Sequence, residues 1–174
     1  MMNNLPWLAS LIKSRNTIDS KIAALIGRTA QANNVGEYIA SIIFKITLEE
    51  GGKQKGFDGR FSYGPLAGCT VDIQWHTRHD GQLNIRPDAL PDYYLVLTGP
   101  ATSPAGFASP WLITAVYLFH ATTLLNALHE RGVQIGSGTS ITGPLWERSE
   151  IYPIPRNTHL VLSDEERKML VLFM

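Results

Sequence analysis

The tightest constraint on the fold lies between Lys53 and Trp75, in KQKGFDGRFSYGPLAGCTVDIQW. It reads as a turn, a strand, a glycine-rich hairpin and a second strand. In Val71-Asp72-Ile73-Gln74-Trp75 apolar and polar residues alternate with the period of two that a half-buried strand requires. Asp72 and Gln74 therefore share one face, and Val71, Ile73 and Trp75 the other. Asp58 heads the first strand, so pairing of the two strands brings it toward the polar face. Two carboxylates converging on a sheet suit Mg²⁺, or Mn²⁺ in its place, because such cations take oxygen ligands. The plainer alternative makes Asp58-Gly59 a turn and Asp72-x-Gln74 a solvated strand face.

With 174 residues, the chain is expected to form one domain, able to bury roughly 70% of its unfolded surface. A lone cysteine, Cys69, excludes an intramolecular disulfide and a zinc site of several cysteines, which suits a reducing, cytoplasmic setting. No basic start followed by a long apolar run suggests a signal peptide. The most apolar run, Trp111 to Leu128, is interrupted by His120, Asn126 and threonines. It is expected to be a long buried helix rather than a membrane span. Formal net charge is zero, so any nucleic acid would be held by a local patch.

Around this centre, Leu8 to Gly27 predicts two short helices broken at Ser14–Thr17, with Gly27 closing the second. Asn33 or Asn34 is expected to cap the next helix, with Glu37 as capping-box partner and Ile39, Ile42, Ile43 and Ile46 as its apolar stripe. Asp80-Gly81 signals a hairpin leading into a strand over Gln82–Ile85. Tyr93–Leu97 is expected to be a central strand. Gly132 should end the long helix, and Val133–Ile135 is a strand candidate. Ser163-Asp164-Glu165-Glu166 is a capping box opening a terminal helix.

Other chemical signals are weaker. His76-x-x-His79 lacks further ligands at recognisable spacing. Gly136–Ser140 lacks the ending of a phosphate loop and reads as turn chemistry. Cys69 has no evident base, and no nucleophile elbow is present. His120 reads as a helix-borne core or groove residue, and the four tryptophans as core or interface.

The order of Gly36-Glu37-Tyr38-Ile39-Ala40, Lys55-Gly56-Phe57-Asp58, Val71-Asp72-Ile73-Gln74 and Tyr93–Leu97 resembles the core of the PD-(D/E)XK nuclease superfamily over roughly residues 33–98. The resemblance implies a restriction-endonuclease-like α/β fold, a mixed central sheet flanked by helices, with a helical section from about 110 to 174. It implies a metal-dependent deoxyribonuclease in which Asp58 and Asp72 hold Mg²⁺. Gln74 would stand at the lysine position and orient water, and Glu37 would be the helical acid. Lys53, Lys55, Arg60 and Arg78 would meet the DNA backbone, and an apolar C-terminal helix could form a homodimer surface. Gln74 departs from the superfamily pattern, because it supplies no ammonium. The alternative is a nuclease-like fold without catalysis that binds nucleic acid or protein. A third reading is a small-molecule or peptide binder using the Gly99–Pro110 and Gly136–Gly143 loops.

Overall fold

The computed structural model describes residues 4–50, 56–102 and 109–174. Among these, five helices flank a six-stranded mixed sheet. The chain opens with α1 (Leu5–Ile26) and α2 (Ala32–Ile43), then β1 (Ile46–Leu48), β2 (Gly59–Phe61), β3 (Thr70–His76), β4 (Gln82–Leu83) and β5 (Tyr93–Thr98). It continues with β6 (Ala115–His120), α3 (Ala121–Glu130), β7 (Thr139–Ser140), α4 (Gly143–Ser149), β8 (Glu150–Tyr152) and α5 (Asp164–Val171). The main sheet runs β1-β2-β3-β5-β6-β8, and β4 pairs with β7 apart from it. Among the described strands only β3 and β5 run parallel, with Asp72 beside Tyr94 and Gln74 beside Val96. The other pairs are antiparallel.

Each sheet face carries its own core. Val71, Ile73, Trp75, Tyr93, Leu95 and Leu97 pack with Ile39 and Ile43 of α2 and Leu170 of α5. Tyr94, Val96, Tyr117 and Phe119 pack on the opposite face with Leu124, Leu128, Trp146, Leu83 and Ile85. Burying such a side chain contributes about 1.5–3 kcal/mol, so both faces stabilise the sheet. The expected alternation in β3 is therefore observed, as are the hairpin joining it to β2 and the buried central strand β5.

α2 lies against β3 because residue 36 has no side chain. A Cβ there would stand 2.8 Å from the Cβ of Trp75. Gly27 closes α1 in the left-handed conformation at φ 70°, and Ser163 and Glu166 form the expected capping box of α5.

Several expectations are corrected. α1 is one continuous helix, because the hydroxyls of Thr17 and Ser20 donate to the carbonyls of Lys13 and Asn16 within it and do not break it. α2 begins at Ala32, with no side-chain cap from Asn33 or Asn34. Ile42 is exposed, and Ile46 already belongs to β1. The apolar run from Trp111 is split into β6 and α3. Val116 and Leu118 enter one core while Tyr117 and Phe119 enter the other, so a strand buried on both sides carries no alternation to read. His120 is consequently the N-cap of α3, accepting the Thr123 N–H at 3.4 Å. The Asp80-Gly81 turn leads β4 to β7 and not back along β3, and Val133–Ile135 lies outside any strand. Trp75 and Trp146 are core residues, whereas Trp7 and Trp111 are exposed.

Candidate functional site

A cleft of about 360 Å³ opens on the polar face of β3 and is lined by Asp58, Asp72, Gln74, His76, Asn84, Arg86 and Tyr94, among others. Three segments build it. The turn before β2 carries Asp58, whose Oδ2 accepts the Ile73 N–H at 2.7 Å. β3 supplies Asp72 and Gln74, and β5 supplies Tyr94 directly beside Asp72. The connection from β3 to β5 supplies Asn84 and Arg86. Gly56 lets this connection approach closely, since a Cβ there would meet the Cβ of Ala89 at 2.3 Å, and its φ is +83°.

Gln74 is the knot of the site. Its Nε2 donates to Asp72 Oδ2 at 2.7 Å and to the Asn84 carbonyl at 2.6 Å. Its Oε1 accepts the Asn84 N–H at 3.0 Å and His76 Nε2 at 3.1 Å. The backbone donor and acceptor of Asn84 fix which way the amide points, so His76 must carry its proton on Nε2. Both amide hydrogens and both carbonyl lone pairs are thereby engaged.

The electrostatics are those of acids forced together. The Asp58 carboxyl is pushed up to about 7, first by burial and next by the Asp72 carboxylate. The Glu37 charge adds to this, against the Ile73 N–H and Arg28. Asp72 is also raised, chiefly by burial, while the Gln74 bond and Arg86 oppose the shift. Burial holds His76 below its usual value. Burial and then the Asp72 charge keep the Tyr94 phenol well above its usual value, so it is a protonated donor. Yet its buried Oη has no hydrogen-bond partner.

The structure thus gathers Asp58, Asp72 and Gln74 at one cleft. Glu37 stands behind it. It is 3% exposed, ion-paired with Arg28, and accepts from Asn33 Nδ2 at 3.4 Å, so it is not the capping-box partner expected. Arg60 is exposed, bonded to Glu49 and the Gly68 carbonyl, and packed over Phe57. Arg78 is exposed and donates to the Ala101 carbonyl at 3.3 Å. Neither lines the cleft. Lys53 and Lys55 lie outside the described residues, as does part of the Gly99–Pro110 loop.

Tyr94, Asn84, Arg86 and Arg28 are the participants that sequence reasoning missed. Tyr94 carried only the signal of an apolar strand, and Asn84 reaches the cleft through a long connection. The Gly136–Ser140 loop makes its own turn, the Thr139 hydroxyl donating to the Gly136 carbonyl at 2.7 Å, and its Gly138 N–H and Ser137 hydroxyl donate to Asn84 Oδ1. Among the described residues, no group of three or more His, Cys, Asp or Glu is placed to hold a metal ion, and no helix is long and apolar enough to cross a membrane. The sequence matches no protein-family model and no curated protein.

Proposed function

We propose that this cleft hydrolyses phosphodiester bonds of DNA with a divalent cation, Mg²⁺ or Mn²⁺, in the manner of the restriction-endonuclease-like enzymes. The reading is carried by the convergence of Asp58 and Asp72 at one half-buried cleft, each held above its ordinary carboxyl range. Strongly perturbed acids in a cleft are where function concentrates. The donor set fits a hard cation, since Mg²⁺ commonly takes one or two carboxylates and fills its other positions with waters and phosphate oxygens. When bound, the cation supplies Lewis acidity toward the phosphate and a more acidic water.

The chain's own residues have separable roles in this reading. Gln74 fixes the Asp72 carboxylate. Its amide is saturated, so it acts through Asp72 and not by orienting water. Arg28 and Asn33 hold Glu37 behind the acids, where its charge raises both carboxyls. Tyr94 lies beneath the acids as a buried, protonated phenol, and Arg86 brings positive charge to the opening. Arg60 and Arg78, outside the cleft, would touch the DNA backbone, and Lys53 and Lys55 would add their charge to that contact.

A second reading rests on the same saturated amide. With no ammonium at the position of Gln74, the fold could bind nucleic acid or protein without cutting. Plasmid and oligonucleotide cleavage with Mg²⁺ or Mn²⁺, beside Asp72→Ala, separates the two. Hydrolysis is expected to need the metal and to fall at least a hundredfold in the variant, on the order of the loss when a charge-stabilising group is removed. Salt-dependent DNA binding without cutting would replace the enzyme reading with the second.

A further inference from the structure

α1 is the least used element of the molecule. None of its residues is buried, and every side chain from Leu5 to Ile18 is exposed. Only Asp19, Ile22, Ala23 and Ile26 are half-buried, where the helix leans on α2. Along it, Leu8, Leu11, Arg15, Ile18, Ile22 and Leu25 follow one another at alternating steps of three and four residues. All but Arg15 are apolar. The outer positions carry Ser10, Lys13, Asn16, Thr17 and Ser20. Exposed Leu5, Trp7 and Ile12 widen this row on its flanks, and a row of period 3.5 is the pattern by which helices pair. Leu8, Leu11, Ile18 and Leu25 remain 50%, 48%, 56% and 73% exposed.

We propose that α1 pairs with α1 of a second copy as an antiparallel two-stranded coiled coil. Arg15 decides the orientation. In a parallel pair equivalent positions meet, so two Arg15 guanidiniums would face each other within the seam. In the antiparallel pair Leu8 lies level with Leu25 of the second copy, Leu11 with Ile22 and Arg15 with Ile18. Each Arg15 then comes within one residue of Asp19 of the second copy. Arg15 and Asp19 already pair within one helix at 3.7 Å, so the dimer centre becomes a neutral cluster of two guanidiniums and two carboxylates. Lys21 falls beside Ser14 of the second copy and meets no like charge.

The area sets the strength. Five exposed seam side chains per copy, each hiding on the order of 60–100 Å², give roughly 600–1,000 Å² in all, below the lower edge of specific interfaces. Association is therefore expected at roughly 10–100 μM chain, the range of a weak interface.

Sedimentation equilibrium of the full chain tests this. A monomer–dimer equilibrium is expected, shifted at least tenfold toward monomer by Ile18→Glu and at least tenfold toward dimer by Arg15→Leu. Far-UV circular dichroism and Tm should be unchanged in Ile18→Glu, since that residue is exposed and belongs to neither core. In a Cys69→Ser background, Leu8→Cys with Leu25→Cys should form interchain disulfides on oxidation, and Leu8→Cys alone should not. A chain that stays monomeric at ten times the expected concentration would overturn the proposal. So would a dimer indifferent to Ile18→Glu, crosslinking of Leu8→Cys alone, or a monomer that instead associates with anionic lipid vesicles.

Discussion

Asp58 shows how the site sets chemistry against stability. Its carboxyl stands at about 7 in the folded protein against an ordinary 3.8. A raised acid holds its proton more tightly when folded. Its contribution is intact below about 3.8 and is lost as pH rises through about 7, where the buried carboxyl must ionise. The difference corresponds to on the order of 4 kcal/mol. Asp58→Asn keeps an oxygen to accept the Ile73 N–H and removes the charge. Thermal unfolding should therefore show it more stable than wild type at pH 8, by roughly 8–16 °C, and equal to it near pH 4. The metal-dependent cleavage proposed for the cleft should be lost in it. An equal Tm at both values would mean that burial does not penalise this carboxyl. The alternation at Asp72 and Gln74 was legible from the sequence because their strand is polar on one side and apolar on the other. The saturation of Gln74 was not, because half its partners come from Asn84, ten residues away through a connection without a local pattern.

At the scale of elements, the contact of α2 with β3 rests on a position with no side chain. Gly36→Ala would place a methyl 2.8 Å from the Trp75 Cβ, and neither atom is the end of a flexible chain. Helix and strand must separate, at a cost of about 1–3 kcal/mol. Denaturant unfolding should report that loss. Because Glu37 follows directly in α2, metal affinity should fall with it. A glycine in a helix is ordinarily a weak choice, and only the strand opposite explains this one. β6 was illegible for a related reason. Its residues are apolar on both sides because both cores claim them, so the run merged with α3 into one apparent helix. The capping box of α5 and the left-handed Gly27 were legible because each is a local bond or a local dihedral.

For the molecule as a whole, the parallel pairing of β3 with β5 has a cost in path. A chain cannot turn tightly between parallel neighbours and must cross a sheet face. Here it crosses the polar face, pinned at Asn84 both to Gln74 and to the Gly136–Ser140 loop. The connection that topology demands is thus also the wall of the cleft. Loosening of that connection would free the Gln74 amide and with it the Asp72 carboxylate that this amide holds. Amide hydrogen exchange measures this opening directly. The Asn84 N–H, although its residue is exposed, should exchange slowly in the wild type and at least tenfold faster in Gln74→Ala, while the amides of β5 keep their protection. The aim of the Asp72 carboxylate would then be governed by the breathing of one surface segment, whatever ligand the cleft receives.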